Sequence, residues 1–168
     1  IAFGGAFYAY VDAGQLDLEL VPAEAGRLVQ LGRQIKNALN QRDLVHHPSG
    51  DDDLNFLYGT IFVRHHDQGG YSRNACVFAD GELDRSPTGT GVSGRAAIHH
   101  AAGELELGEE LVIESLIGTQ FRVRCLEETR VGDLQAVIPE VTGSAHISGQ
   151  HQFILDQRDP LQGGFLLR

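Results

Sequence analysis

The residues Asp84-Arg85-Ser86-Pro87-Thr88-Gly89-Thr90-Gly91, running directly into Val92-Ser93-Gly94-Arg95-Ala96-Ala97-Ile98, carry the most specific chemistry in this chain. A proline followed by small residues and then by a helix-forming segment is the pattern of a tight loop ending on a helix N-terminus. Unpaired backbone N–H groups and the helix dipole there both favour an anion. A carboxylate or phosphate suits such a place, and so does a plain tight turn with no ligand. Within the loop, Asp84 is able to cap the turn. The Thr88 hydroxyl ionises far less readily than a thiol. It is therefore a poor base, although it can donate a hydrogen bond or orient a leaving group.

The preceding run, Asn74-Ala75-Cys76-Val77-Phe78-Ala79-Asp80-Gly81-Glu82-Leu83, has an apolar centre that predicts a buried strand delivering the loop to the end of a sheet. The segment from Gly91 to Ala102 is rich in Gly and Ala with few long polar residues, as expected of a helix enclosed by sheet. From Phe78 to Arg95 the sequence resembles the signature of the proline racemase family. In that family a strand, an Asp-Arg-Ser-Pro-Cys-Gly-Thr-Gly loop and a buried helix build half of a cofactor-free active site. Further matches are Phe3-Gly4-Gly5-Ala6-Phe7-Tyr8-Ala9, His47-Pro48, Gly143-Ser144-Ala145, Asp159-Pro160-Leu161 and Gly164-Phe165-Leu166-Leu167, so the resemblance covers the whole chain. It implies a diaminopimelate epimerase-like α/β fold, in which two similar halves each wrap a mixed sheet around a central helix. The substrate then lies between the two helix N-termini, and this chain supplies one half, with one outer helix. The resemblance also implies that Asp84 binds the substrate amine and that the N–H groups of Gly89 and Thr90 stabilise the carboxylate as the α-proton leaves. Phe78 matches an apolar wall position, though an aromatic on a buried strand equally suits the core. Neither a metal nor pyridoxal phosphate is implied.

Two departures shape the expected reaction. Racemases and epimerases of the family carry a catalytic cysteine where this chain has Thr88, and threonine there resembles the members that act as trans-3-hydroxy-L-proline dehydratases. Inverting an α-carbon needs two groups that exchange protons near neutral pH, which a cysteine can do and a threonine cannot. Secondly, nothing here matches the Cys-Gly-His loop from which the family takes its other catalytic cysteine. Cys76 and Cys125 are the only cysteines, and both sit in strand-like runs where a small core residue is expected. The expected function is cofactor-independent dehydration of trans-3-hydroxy-L-proline to pyrroline-2-carboxylate, with Thr88 positioning the 3-hydroxyl or a water. The base would be a cysteine in a preceding N-terminal half of the same enzyme. The alternatives are a proline racemase or 4-hydroxyproline epimerase, or a catalytically silent carboxylate-binding module. On this reading residues 1–168 form one domain, the C-terminal portion of a two-domain enzyme that is open to forming a homodimer. This portion alone is expected to fold without catalysing.

Composition limits the other classes. The chain has 168 residues, 42% of them hydrophobic, and no apolar run near the ~20 residues of a membrane span. A net charge of −10, with 13 scattered basic residues, argues against nucleic acid. Two cysteines without framework spacing suggest a reducing, cytoplasmic setting. The opening Ile1-Ala2-Phe3-Gly4-Gly5 reads as the middle of a fold rather than as a targeting signal. Asp51-Asp52-Asp53 lacks the spaced ligands of a calcium loop and fits a solvated turn. The adjacent pairs His46-His47, His65-His66 and His99-His100 diverge on a strand or helix, so no metal site is expected.

These features need positioning elements. A strand is predicted over Phe3 to Val11, and an outer amphipathic helix over Pro22 to Gln41, where Ala25, Leu28, Leu31, Ile35 and Leu39 recur near the helical period. Further strands are predicted over Phe56 to Val63, Ser72 to Ala79, Leu111 to Ser115, Gln120 to Leu126, Leu134 to Pro139, Ser144 to Ile147 and Gln152 to Leu155.

Overall fold

Two helices on opposite faces of one curled sheet make up the mixed α/β fold. The computed structural model describes residues 1–65 and 72–165; His66, Leu166 and Leu167 of the motifs above lie outside the described residues. The strands are β1 (Ala2–Phe3), β2 (Phe7–Asp12), β3 (Leu57–His65), β4 (Ser72–Phe78), β5 (Glu82–Leu83), β6 (Leu111–Glu114), β7 (Gln120–Val131) and β8 (Leu134–Thr142). The helices are α1 (Ala25–Asn40) and α2 (Gly89–Ala101). The sheet runs in the order β1-β2-β3-β4-β6-β7-β8, with β5 pairing to β4.

Among the described strands β2 with β3 and β4 with β6 pair in parallel, and each pair is joined by a crossover through one helix. Because β3 and β4 run antiparallel, the two crossovers start in opposite directions while stepping the same way across the sheet. The right-handed rule for such connections then sends α1 and α2 to opposite faces. Alternation along the strands follows suit. Phe62, Ala75 and Val77 face α1 and pack with Leu28, whereas Ile61 and Cys76 form a cluster with Tyr8 on the other side. On α1, Gly32 lies flat against Val77, where an added Cβ would come within 2.6 Å, and its carbonyl accepts from the Thr60 hydroxyl at 3.0 Å. Asn40 ties the end of α1 to the start of β3 through both the N–H and the carbonyl of Leu57.

The sheet curls so that both of its ends touch α2, β1 and β2 on one side and β7 and β8 on the other. Small residues make this enclosure possible. A side chain at Gly4 would strike the backbone of α2, one at Gly94 would strike the Tyr10 hydroxyl, and one at Gly91 would come within 2.5 Å of Ile61. The small, weakly amphipathic face of α2 is thus a fit to strands that approach almost to its backbone.

Several predicted elements differ. The strand over Phe3 to Val11 is interrupted after Phe3, because Gly5 takes φ +114° and turns the chain back on itself. β7 continues past Leu126 to Val131 with a bulge between Cys125 and Glu127, so Leu126 turns to solvent. The runs from Ser144 to Ile147 and Gln152 to Leu155 are not strands; they lie in an extended tail with Ile147 at 98% and Phe153 at 88% exposure. No helix among the described residues is long and apolar enough to cross a membrane.

Candidate active site

The loop between β5 and α2 is closed by its own side chains. Asp84 is anchored to β4 by its N–H, which donates to the Cys76 carbonyl at 3.0 Å. Its Oδ1 accepts from the Ser86 N–H at 2.8 Å, the Ser86 hydroxyl accepts from the Thr88 N–H at 3.0 Å, and the Thr88 hydroxyl donates to Asp84 Oδ2 at 2.8 Å. From outside, Thr119 donates its hydroxyl to the Arg85 carbonyl at 3.0 Å. This ring holds Thr88 at φ +70°, a conformation that costs a β-branched residue on the order of 1–3 kcal/mol. The strained turn aims the chain straight into α2.

At that entry the helix is uncapped. The first helical bond runs from the Val92 N–H to the Thr88 carbonyl at 2.8 Å, and among the described residues no side chain caps the turn and no acidic residue sits in it. The N–H groups of Gly89, Thr90 and Gly91 therefore point out of the helix without an intrahelical acceptor. Gly89 is exposed and an added Cβ there would meet nothing within 4 Å. The Thr90 hydroxyl shares a hydrogen bond with the Tyr8 hydroxyl at 3.0 Å, and burial pushes Tyr8 up to about 12, leaving it neutral.

An aromatic wall flanks this turn. Phe78 is half-buried and its ring lies 5.7 Å from that of Tyr58, which stands 6.0 Å from Tyr8 and 6.2 Å from Phe56. A cavity of about 310 Å³ opens there, lined by Tyr8, Leu54, Phe56, Tyr58 and Thr90 among others. Two larger cavities, of about 520 and 550 Å³, lie along the seam between α2 and the β7–β8 hairpin and include none of Asp84, Thr88, Gly89 or Thr90. His47 belongs to the second of these, its ring 4.6 Å from Phe3, well outside the loop.

The structure thus brings Asp84, Thr88, Gly89 and Thr90 together and sets Phe78 in the adjoining wall. The arrangement can hold a carboxylate on backbone N–H groups. It offers no free base of its own. Burial pushes the Cys76 thiol, which contacts Thr88, up to about 12, and both Asp84 oxygens are engaged within the loop. Among the described residues no three His, Cys, Asp or Glu side chains are grouped to hold a metal ion. Sequence reasoning missed Tyr8 and Tyr58, which lie far from the loop in the chain, and Asn74, which it read only as the start of the strand preceding the loop. It also passed over Arg95, a long charged side chain amid the small residues that precede His99 and His100 in the helix, and that oddity was the available signal. Burial draws its guanidinium down to about 10, still charged at neutral pH.

Comparisons with known proteins identify the family of this chain. The family model described as proline racemase matches residues 1–166. A trans-3-hydroxy-L-proline dehydratase of Colwellia psychrerythraea is 50% identical over all of this chain and 47% of its own length. A 3-hydroxyproline 2-epimerase of Burkholderia multivorans is 48% identical over all of this chain and 50% of its own. A crystal structure of a hydroxyproline epimerase from Agrobacterium vitis with bound trans-4-hydroxy-L-proline superposes with a TM-score of 0.86 at 40% identity, covering 98% of this chain and 47% of that one. The chain spans about half the length of the curated relatives it matches.

Proposed function

The chain belongs to the proline racemase family, and on that premise we propose that it is one domain of a cofactor-independent enzyme that dehydrates trans-3-hydroxy-L-proline to pyrroline-2-carboxylate. The reading is supported by Thr88, which stands in the sequence where the racemases and epimerases it resembles carry a catalytic cysteine and whose hydroxyl donates to Asp84. Overall identity does not separate the reactions, since a dehydratase and an epimerase are 50% and 48% identical to the chain.

In this reading the substrate carboxylate sits on the N–H groups of Gly89 and Thr90, which stabilise the charge that develops as the α-proton leaves. Asp84 binds the amine, oriented by Thr88. Phe78 and Tyr58 exclude water from one side. In trans-3-hydroxy-L-proline the carboxylate and the hydroxyl lie on opposite ring faces, so the α-hydrogen and the hydroxyl share a face. A single cysteine on that face, supplied by the rest of the enzyme, takes the α-proton. The α–β double bond forms as the C3–O bond breaks, and the departing hydroxide recovers the proton as water. The resulting enamine tautomerises to the cyclic imine. Thr88, on the opposite face, exchanges protons poorly and holds Asp84 or a water in place; the 3-hydroxyl, on the cysteine's face, lies away from it, so of the two roles expected from the sequence the positioning of a water is the one kept. The exposed apolar side chains of the tail, Ile147, Phe153 and Leu155 among them, suit packing against that other half.

Incubating the whole enzyme with trans-3-hydroxy-L-proline should yield an imine that colours with o-aminobenzaldehyde. Conversion of L-proline to D-proline would instead support racemisation. Binding without turnover of either substrate would support a silent carboxylate-binding module.

A further inference from the structure

We propose that Asn74, locked in orientation by the buried Arg95, is the positioning residue that keeps the first turn of α2 open to a carboxylate. The inference rests on the reading above that this turn receives the substrate carboxylate.

Arg95 is 2% exposed, and its guanidinium lies between α2 and the sheet. One terminal nitrogen donates to Asn74 Oδ1 at 2.9 Å and the other to His99 Nε2 at 3.1 Å; among the described residues no carboxylate pairs with it. His99 Nδ1 lies 2.7 Å from Glu104 Oε2, which assigns the ring proton to Nδ1 and leaves Nε2 as the acceptor for Arg95. A guanidinium buried without a counter-ion is a costly choice for packing alone, and an apolar side chain would fill the space more favourably. What it secures is the direction of one amide.

Asn74 is fully buried on β4. A guanidinium only donates, so the Asn74 oxygen must face Arg95 and the Asn74 nitrogen must face away. That nitrogen donates to the Pro87 carbonyl at 3.1 Å. Pro87 is four residues before Gly91, so its carbonyl is the group that would accept the Gly91 N–H if the helix began one residue earlier. With that carbonyl held toward Asn74 and Thr88 turned to positive φ, helical bonding starts only at Val92. The Gly91 N–H remains available beside those of Gly89 and Thr90, and three donors converge instead of two.

Two variants of the whole enzyme separate positioning from structural support. Asn74→Asp keeps an acceptor for Arg95, now as an ion pair, but removes the donor to Pro87. Asn74→Leu removes both. The probe is pyrrole-2-carboxylate, a planar mimic of the deprotonated ring. The proposal expects both variants to lose affinity roughly tenfold or more, as for a displaced hydrogen bond to a charged group. It also expects their melting temperatures to diverge, Asn74→Asp holding near the wild type and Asn74→Leu falling. Affinity that simply follows melting temperature, with Asn74→Asp binding as the wild type does, would overturn it. Should either variant fail to fold, a structure of the wild-type enzyme with pyrrole-2-carboxylate decides. The proposal requires the Gly91 N–H to reach the ligand carboxylate, and a Gly91 N–H bonded to the Pro87 carbonyl overturns it. A wild type that does not bind pyrrole-2-carboxylate at all overturns the reading of the site as well.

Discussion

The Thr88 hydroxyl donates to Asp84 Oδ2 at 2.8 Å, and the same carboxylate accepts the Ser86 N–H on its other oxygen, so Thr88 and Asp84 act as one unit. Thr88→Ala should leave carboxylate binding intact, because the backbone donors of Gly89 and Thr90 remain. Turnover of trans-3-hydroxy-L-proline should fall roughly 10- to 100-fold, the cost of one hydrogen bond to a charged group. Steady-state kinetics check this: an unchanged kcat would mean that Thr88 is only a spacer.

Thr88→Cys restores at this position a group whose ordinary pKa is about 8.5 and which a helix N-terminus lowers further. Proton exchange at the α-carbon of L-proline should then become measurable by NMR in D2O. Absence of any exchange would show that more than one residue divides the two reactions.

Neither cysteine of this chain should behave as a nucleophile. Both are fully buried, and burial pushes Cys76 up to about 12 and Cys125 upward as well. Peptide mapping after alkylation of the native enzyme at pH 8 should find both unmodified, and both labelled after unfolding. Rapid native labelling of Cys76 would place a thiolate beside Thr88 and reopen a two-base mechanism.

Two histidines should shift stability with opposite signs. His100 is raised by its hydrogen bonds to the Leu105 carbonyl and to Glu128, so its contribution is complete below about 6.5 and fades as pH rises through the raised value. His65 is lowered by burial and by the nearby charge of Arg95, so the unfolded chain takes its proton first and stability falls as pH drops below about 6.5. Melting temperatures at pH 5.5 and 8 should show His100→Gln losing stability only at the acid pH and His65→Gln gaining it there. The reverse pattern would contradict these environments.

Much of the site was legible because it is local. Asp84, Thr88, Gly89 and Thr90 lie within one turn of chain, and proline with glycine marks the loop whatever surrounds it. Tyr8 was not legible, since it meets Thr90 across 82 positions and only the curled sheet brings them together. The outer helix declared itself by its apolar period, with Leu28 fully buried as that period requires. Gln152 to Leu155 shows the opposite case. Its composition suits a strand, but a strand forms only where a partner strand offers its backbone, and none among the described residues does. The break in the first strand was not legible either: Gly5 makes the turn at positive φ, and what accompanies it, the close passage of α2 over Gly4, is tertiary.

Gly94 and Gly89 offer a control on the packing of α2. A methyl group at Gly94 would meet the Tyr10 hydroxyl, which donates to the Gly91 carbonyl at 2.8 Å, whereas one at Gly89 meets nothing. Gly94→Ala should destabilise by about 1–3 kcal/mol, as overpacking does, and Gly89→Ala should not. Denaturant unfolding of the two variants checks this, and equal midpoints would contradict the enclosed helix.

If elimination proceeds with a single proton-exchanging group, the whole enzyme never returns a proton to the opposite face of the α-carbon. Chiral analysis of the whole enzyme's turnover of trans-3-hydroxy-L-proline tests it most directly. Pyrroline-2-carboxylate should be the product, with no cis-3-hydroxy-D-proline at any time point. Accumulation of cis-3-hydroxy-D-proline would show a second group delivering a proton to the opposite face, and would contradict it.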